Sequence, residues 1–186
     1  MSKTLKQESY LKNSSVAVEE LATMERILAR SDYEFYLEYV HKGLYQHARH
    51  TKLMAKKLHD IDCGRLKRLI ICLPPRHGKS ITVSETFPSY FVGRNPERRV
   101  IMVSYGDSFA RKFGRANKNK IEECGDKLFG VRLRRDNASV TNWGIVGHRG
   151  GMVSAGIGGP ITGEGADLLI IDDPVKRQQE ADTCVS

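Results

Sequence analysis

The run Leu73-Pro74-Pro75-Arg76-His77-Gly78-Lys79-Ser80, directly after the apolar residues Leu69-Ile70-Ile71-Cys72, constrains this chain more than any other feature. It reads as a buried strand over 68–73 feeding a loop whose Gly-Lys-Ser end opens a helix. Such a loop holds backbone N–H groups, a lysine and a hydroxyl around one anion. The usual pattern is G-x-x-x-x-G-K-[ST], and Leu73 stands at the first glycine. Pro74 and Pro75 donate no N–H, but they lie on the ascending side. His77, Gly78, Lys79, Ser80 and Ile81 remain to line the phosphates, and Gly78 permits close backbone approach.

A second signal lies downstream, where Leu168-Leu169-Ile170-Ile171 runs into Asp172-Asp173-Pro174. A phosphate cradle followed by a strand-end carboxylate pair is the equipment for a nucleoside triphosphate with Mg²⁺. In that reading Lys79 neutralises the β and γ phosphates, and Ser80 and Asp172 hold Mg²⁺. Asp173 polarises the attacking water, and Arg76 either reaches the γ phosphate as a finger supplied in cis or is a surface or acid-paired arginine. The cofactors expected are therefore ATP and Mg²⁺. Tyr45 or Gln46 is a candidate for adenine. His47 and His50 share a helix face without an acidic or cysteine partner in the sequence, so a metal site is not expected there.

The 186 residues suit one domain. Four scattered cysteines and no C-x-x-C argue against a disulfide framework or zinc site, and fit a reducing compartment. No apolar run approaches the roughly 20 residues of a membrane span. The net charge of +8 is concentrated in Arg111, Lys112, Arg115, Lys118, Lys120, Lys127, Arg132, Arg134 and Arg135. Such an excess favours a polyanion such as DNA. Phe113 and Phe129 are too few and too far apart for a single-strand stacking platform, and read as core.

Residues 1–15 are polar and expected to be flexible. Residues 16–64 read as a helical region, with helices over Val16–Arg30, from a Ser31/Glu34 capping box through Val40, and over Tyr45–Leu58. From residue 65 to 186 strands alternate with helices. A helix from Lys79 is shortened or kinked by Pro88, strand Val100–Tyr105 precedes a helix over Ser108–Cys124, and 140–146 and 151–155 form a hairpin. A glycine-rich loop follows over 156–165. The pattern predicts an α/β fold with a mostly parallel sheet and helices on both faces, ligands sitting at the carboxyl ends of the strands.

Leu73–Ser80, Val103-Ser104-Tyr105, the stretch from Gly158 to Gly163, and Gly165-Ala166-Asp167 leading into Leu168–Pro174 together resemble the large terminase subunit of tailed bacteriophages. The resemblance covers about residues 35–180. It implies an ASCE-type P-loop ATPase core that couples Mg-ATP hydrolysis to translocation of double-stranded DNA into a prohead in the host cytoplasm. It further implies the small terminase subunit and portal protein as partners, and an oligomeric ring. Lys79, Ser80, Asp172 and Asp173 match the family's phosphate, metal and catalytic positions, and Arg76 its loop arginine. The family continues past the carboxylate pair to a nuclease domain. This chain leaves no room for one, so it is expected to be a truncated form with an incomplete sheet and poor hydrolysis by itself. The alternatives are a non-hydrolysing nucleotide- or DNA-binding module, or another P-loop NTPase such as a helicase-like ATPase.

Overall fold

A computed structural model of the chain describes residues 2–175, apart from 160 and 162. Pro160 and Thr162 of the glycine-rich segment, and Cys184 with the rest of 176–186, lie outside the described residues. The elements run α1 (Ser2–Ser31), α2 (Tyr33–Val40), α3 (Arg49–Asp62), α4 (Lys79–Val83), α5 (Phe87–Arg94), β1 (Arg99–Ser104), α6 (Asp107–Lys120), α7 (Asp126–Phe129), β2 (Leu133–Ala138), β3 (Asn142–Ile145), β4 (Gly151–Gly156) and β5 (Leu168–Asp172). A π-helical turn, Ile121–Gly125, joins α6 to α7.

Local chemistry sets the helix boundaries. Ser31 closes α1, its hydroxyl donating to the Leu28 carbonyl, and Asp32 caps α2 by accepting from the Glu34 N–H at 2.7 Å. The cap is therefore one residue later than the expected Ser31, and a carboxylate is as good an acceptor as a hydroxyl there. α3 starts at Arg49 rather than Tyr45, because 44–48 runs without helical structure along the flank of the 73–78 loop. The helix after that loop is broken: α4 ends at Val83, and α5 restarts at Phe87 with Pro88 in its first turn, where a missing N–H costs nothing.

The sheet order is β2-β3-β4-β1-β5. β1 pairs in parallel with β4 and β5, while β2–β3 and β3–β4 are antiparallel. The sheet is thus half parallel, not mostly parallel, because short connections between β2, β3 and β4 allow only antiparallel neighbours. β2 has no counterpart among the expected strands. Its sequence, Leu-Arg-Arg-Asp-Asn-Ala, carries too little apolar alternation to announce one.

The expected strand over 68–73 does not join the sheet. Among the described residues it makes no backbone ladder, and Ile70 is 89% exposed. Residues 66–71 and β5 instead border one cavity of about 850 Å³.

One face of the sheet carries the core. Val100, Met102, Met152, Trp143, Ile145 and Ile170 join Tyr33, Tyr36 and Leu37 of α2, Ala55 and Leu58 of α3, Phe87, Tyr90 and Phe91 of α5, and Phe113 of α6. Aromatic rings make much of it, with centroids 5.0 Å apart for Tyr33 and Phe87 and 5.1 Å for Tyr36 and Tyr90. Full burial of each such side chain contributes about 2 kcal/mol. Phe113 is buried, and Phe129 packs against Tyr36 and Tyr90, which places both in the core as expected. The opposite sheet face is open only at its β5 edge, where Leu169 and Ile171 are 56% and 57% exposed, while Ile101, Val153 and Ala155 of the inner strands are buried on it.

The apolar stripe of α1 also points outward, with Val18, Leu21, Met24 and Ile27 each about 60% or more exposed, while Ala29 is fully buried. A buried ion cluster ties α3 to α5 and the start of β1. Asp62 lies 3.1 Å from the Arg94 Nε and 3.0 Å from an Arg98 guanidinium nitrogen.

Gly114 brings α6 onto the sheet. A Cβ there would sit 2.2 Å from the Val140 carbonyl oxygen and 2.6 Å from the Ser154 hydroxyl, and the Gly114 carbonyl accepts from the Trp143 indole. Gly114→Ala forces helix and sheet apart. A loss of about 2–3 kcal/mol in unfolding free energy is expected from the denaturant midpoint.

Candidate functional site

The three parallel strands end level with one another. Ser104 of β1 is in register with Gly156 of β4 and with Asp172 of β5. Polar strand ends of this kind face the crevice where open sheets bind ligands. The loop 73–78 lies opposite Asp172, and two side chains close the distance. The Lys79 Nζ lies 2.5 Å from Asp173 Oδ1 and 3.4 Å from Asp172 Oδ1. Ninety-four residues of chain separate Lys79 from Asp173, and tertiary structure joins them.

The loop is built for close approach. Gly78 has φ +80°, a left-handed conformation that glycine adopts without strain, and it caps α4. Among the described residues no backbone carbonyl accepts from the N–H groups of Gly78, Lys79, Ser80 or Ile81. These donors border a cavity of about 480 Å³ lined by Leu73–Arg76, Gly78–Ile81 and Asp173. His77 lies just outside it. Its Nδ1 is 2.8 Å from the Pro75 carbonyl, and its own carbonyl is 3.0 Å from His50 Nε2, so the ring braces the loop.

Arg76 (φ +64°) and Asp173 (φ +44°) are both non-glycine residues in the left-handed region. Strain of this kind concentrates where a loop must aim a side chain. Arg76 is exposed and lines the loop cavity.

The two carboxylates differ in setting. Asp172 is buried, and its Oδ2 accepts from the Ser84 hydroxyl at 2.9 Å. The Asp173 side chain is 76% exposed. At Lys79 burial is the largest single influence and pulls the pKa down. The Asp173 hydrogen bond and the charges of Asp172 and Asp173 together outweigh it, so the net shift is upward and the ammonium is held charged.

Ser80 lines the loop cavity with Asp173, and the Lys79 ammonium links that cavity to Asp172; hydroxyl and carboxylate oxygens are of the kind a hard divalent cation such as Mg²⁺ takes. Lys79 sits on both carboxylates, so this end of the site stabilises positive charge.

Buried polar groups behind the loop were not legible in the sequence. The Thr82 hydroxyl donates to the Gly78 carbonyl at 2.8 Å and is met by the Tyr45 hydroxyl, while the Tyr33 hydroxyl donates to the Thr82 carbonyl. This anchors the loop to the N-terminal helices. Tyr45 and Gln46 line a cavity of about 430 Å³ beside the loop, with His41, His50, Arg76 and Ile81. His47 is placed elsewhere, 3.3 Å from Glu38, an acidic neighbour that sequence spacing did not reveal. His59, Asp62 and Cys63 also cluster at the end of α3, but Arg94 and Arg98 already take the Asp62 carboxylate.

The basic segment is partly consumed within the fold. Lys112 pairs with Glu85 at 2.7 Å and Arg132 with Asp126 at 2.9 Å, and Lys120 donates to the Glu85 carbonyl. Burial pulls the Lys120 pKa down, against the charge of Glu85. Arg111 and Arg115 stand exposed on α6.

Among the described residues no helix is long and apolar enough to cross a membrane. No curated protein matches the chain. The family model for the N-terminal part of the terminase large subunit, T4likevirus type, matches residues 70–185, a span that holds the loop, all five strands and both aspartates. The chain belongs to that terminase large-subunit family.

Proposed function

We propose that this chain is the ATPase module of a viral DNA-packaging terminase, binding Mg-ATP at the 73–81 loop and coupling its hydrolysis to movement of double-stranded DNA. Family membership supports the packaging role. The observation that carries the enzymatic reading is the meeting of Lys79 with Asp172 and Asp173 at the level where β1, β4 and β5 end.

The free N–H groups of 78–81 and the Lys79 ammonium receive the β and γ phosphates. In doing so Lys79 leaves the carboxylates. Asp172 and the Ser80 hydroxyl would hold Mg²⁺, which would supply charge neutralisation at the phosphate oxygens. Asp173, exposed and released from Lys79, takes a proton from the attacking water. Arg76 stabilises charge on the γ phosphate from within the loop. The base enters the Tyr45–Gln46 cavity, which shares Arg76 and Ile81 with the loop. Duplex DNA is the polyanion for the exposed arginines of α6, and a packaging motor of this family works with the small subunit and portal as a ring.

Lys79→Ala removes charge-assisted contacts to phosphate. Calorimetry should show ATP affinity reduced roughly ten- to hundredfold. Unchanged affinity means the loop is not the site. Asp173→Asn keeps the shape but loses the base. Binding should persist while phosphate release falls by about 10² or more. A wild-type chain that binds ATP through Lys79 without any turnover would mark a non-hydrolysing module instead. DNA binding should weaken steeply with salt, and replacing Arg111 and Arg115 by Ala should flatten the log–log slope by about one per lost phosphate contact. A flat salt dependence in the wild type removes α6 from the interface.

A further inference from the structure

Ser84 lies five residues beyond Lys79 and belongs to no motif, yet it is fully buried and points its hydroxyl at Asp172 Oδ2. The Ser84 carbonyl accepts from the Asn117 side-chain amide at 2.8 Å. Asn117 is itself fully buried, and its side-chain oxygen accepts from the Ser89 N–H at 2.9 Å. The Ser89 hydroxyl in turn donates to the Thr86 carbonyl and meets the Tyr36 hydroxyl at 2.8 Å. A continuous polar chain therefore runs from α2 through the start of α5 and the last turn of α6 to the carboxylate at the end of β5. Each of these links is a satisfied hydrogen bond in a dry setting, where an unpaired group is costly.

The arrangement divides the work of the Asp172 oxygens. Oδ2 is occupied by Ser84, and Oδ1 faces Lys79 at 3.4 Å. A carboxylate at the end of an edge strand would otherwise rotate about its side-chain torsions. The Ser84 hydroxyl holds it to one orientation. Asn117 fixes where that hydroxyl sits, because it grips the same residue by its backbone. We infer that Ser84, with Asn117 behind it, is a positioning residue for the cation site: it aligns Asp172 so that Oδ1 is the oxygen offered to Mg²⁺.

The inference rests on Asp172 being a cation ligand, as proposed above, and it adds a residue that touches neither nucleotide nor metal. Groups one shell behind a metal ligand set its orientation and basicity, and their loss costs about tenfold or more in affinity.

The test is Mn²⁺ binding to the full chain with adenosine 5′-(β,γ-imido)triphosphate, read by electron paramagnetic resonance, beside metal-free analogue binding by calorimetry and thermal unfolding. Ser84→Ala is expected to weaken Mn²⁺ about tenfold, with metal-free nucleotide affinity unchanged. Ser84→Cys, which keeps the volume and weakens the donor, is expected to move Mn²⁺ affinity the same way, and carries the test if the alanine variant fails to fold. Asp172→Asn is the control. If it abolishes Mn²⁺ binding while both Ser84 variants bind as the wild type does, the positioning role is overturned and the cation site stands. Equal losses of Mn²⁺ and metal-free nucleotide binding in the Ser84 variants would also overturn it, because that pattern is a general loosening of the site. If Asp172→Asn binds Mn²⁺ normally, the cation-ligand reading itself fails, and the inference with it.

Discussion

The contact of Lys79 with Asp172 and Asp173 is where the glycine loop and the end of β5 meet. The loop 73–78 has no sheet ladder of its own among the described residues, and the segment before it stands across a cavity from β5. Its attachment to the sheet is therefore electrostatic at one end. At the other end the hydroxyls of Tyr33, Tyr45 and Thr82 grip its glycine turn. A charged pair of this kind, partly open to water, is worth little as glue. Its value lies in what it prearranges: the Lys79 ammonium and two carboxylates are gathered at the strand ends beside the glycine loop.

The N-terminal helices take part in the same architecture. Tyr33 and Tyr36 of α2 are fully buried in the main core, and each also spends its hydroxyl on a group near the site. Apolar burial supplies the energy, and the hydroxyls supply direction. Tyr33 reaches the residue that anchors Gly78, and Tyr36 reaches the chain that ends at Asp172. The 73–78 loop and the Asp172 carboxylate are thus referenced to one helix, so a shift of α2 is felt at both.

Much of the local structure could be read from residue pattern. β1, β4 and β5 are apolar runs with turn residues beyond them, and the β3–β4 hairpin falls where the glycine turn suggested. Two errors have one physical origin. The apolar segment over 68–73 looks like a buried strand, but an apolar run says only that a segment can be buried, and not that an edge lies within reach. β2 is the converse: its charged sequence hides a strand formed because β3 offers it a ladder. Asn117 could have been suspected, since it falls on the buried stripe of Ala110, Phe113 and Gly114 at helical spacing. Ser84 carries no such mark.

The sequence by itself determined the chemistry at hand: a Gly-Lys-Ser turn opening a helix, and a strand ending in two aspartates. Those depend on residue type and spacing over a few positions, where backbone rules act directly. Tertiary structure decided which groups meet and in what state. It brought Lys79 onto carboxylates far along the chain, buried Asp172 and left Asp173 in water, and placed Ser84 and Asn117 behind the Asp172 carboxylate. Distance, burial and orientation arise from packing between remote segments, and no local pattern encodes them.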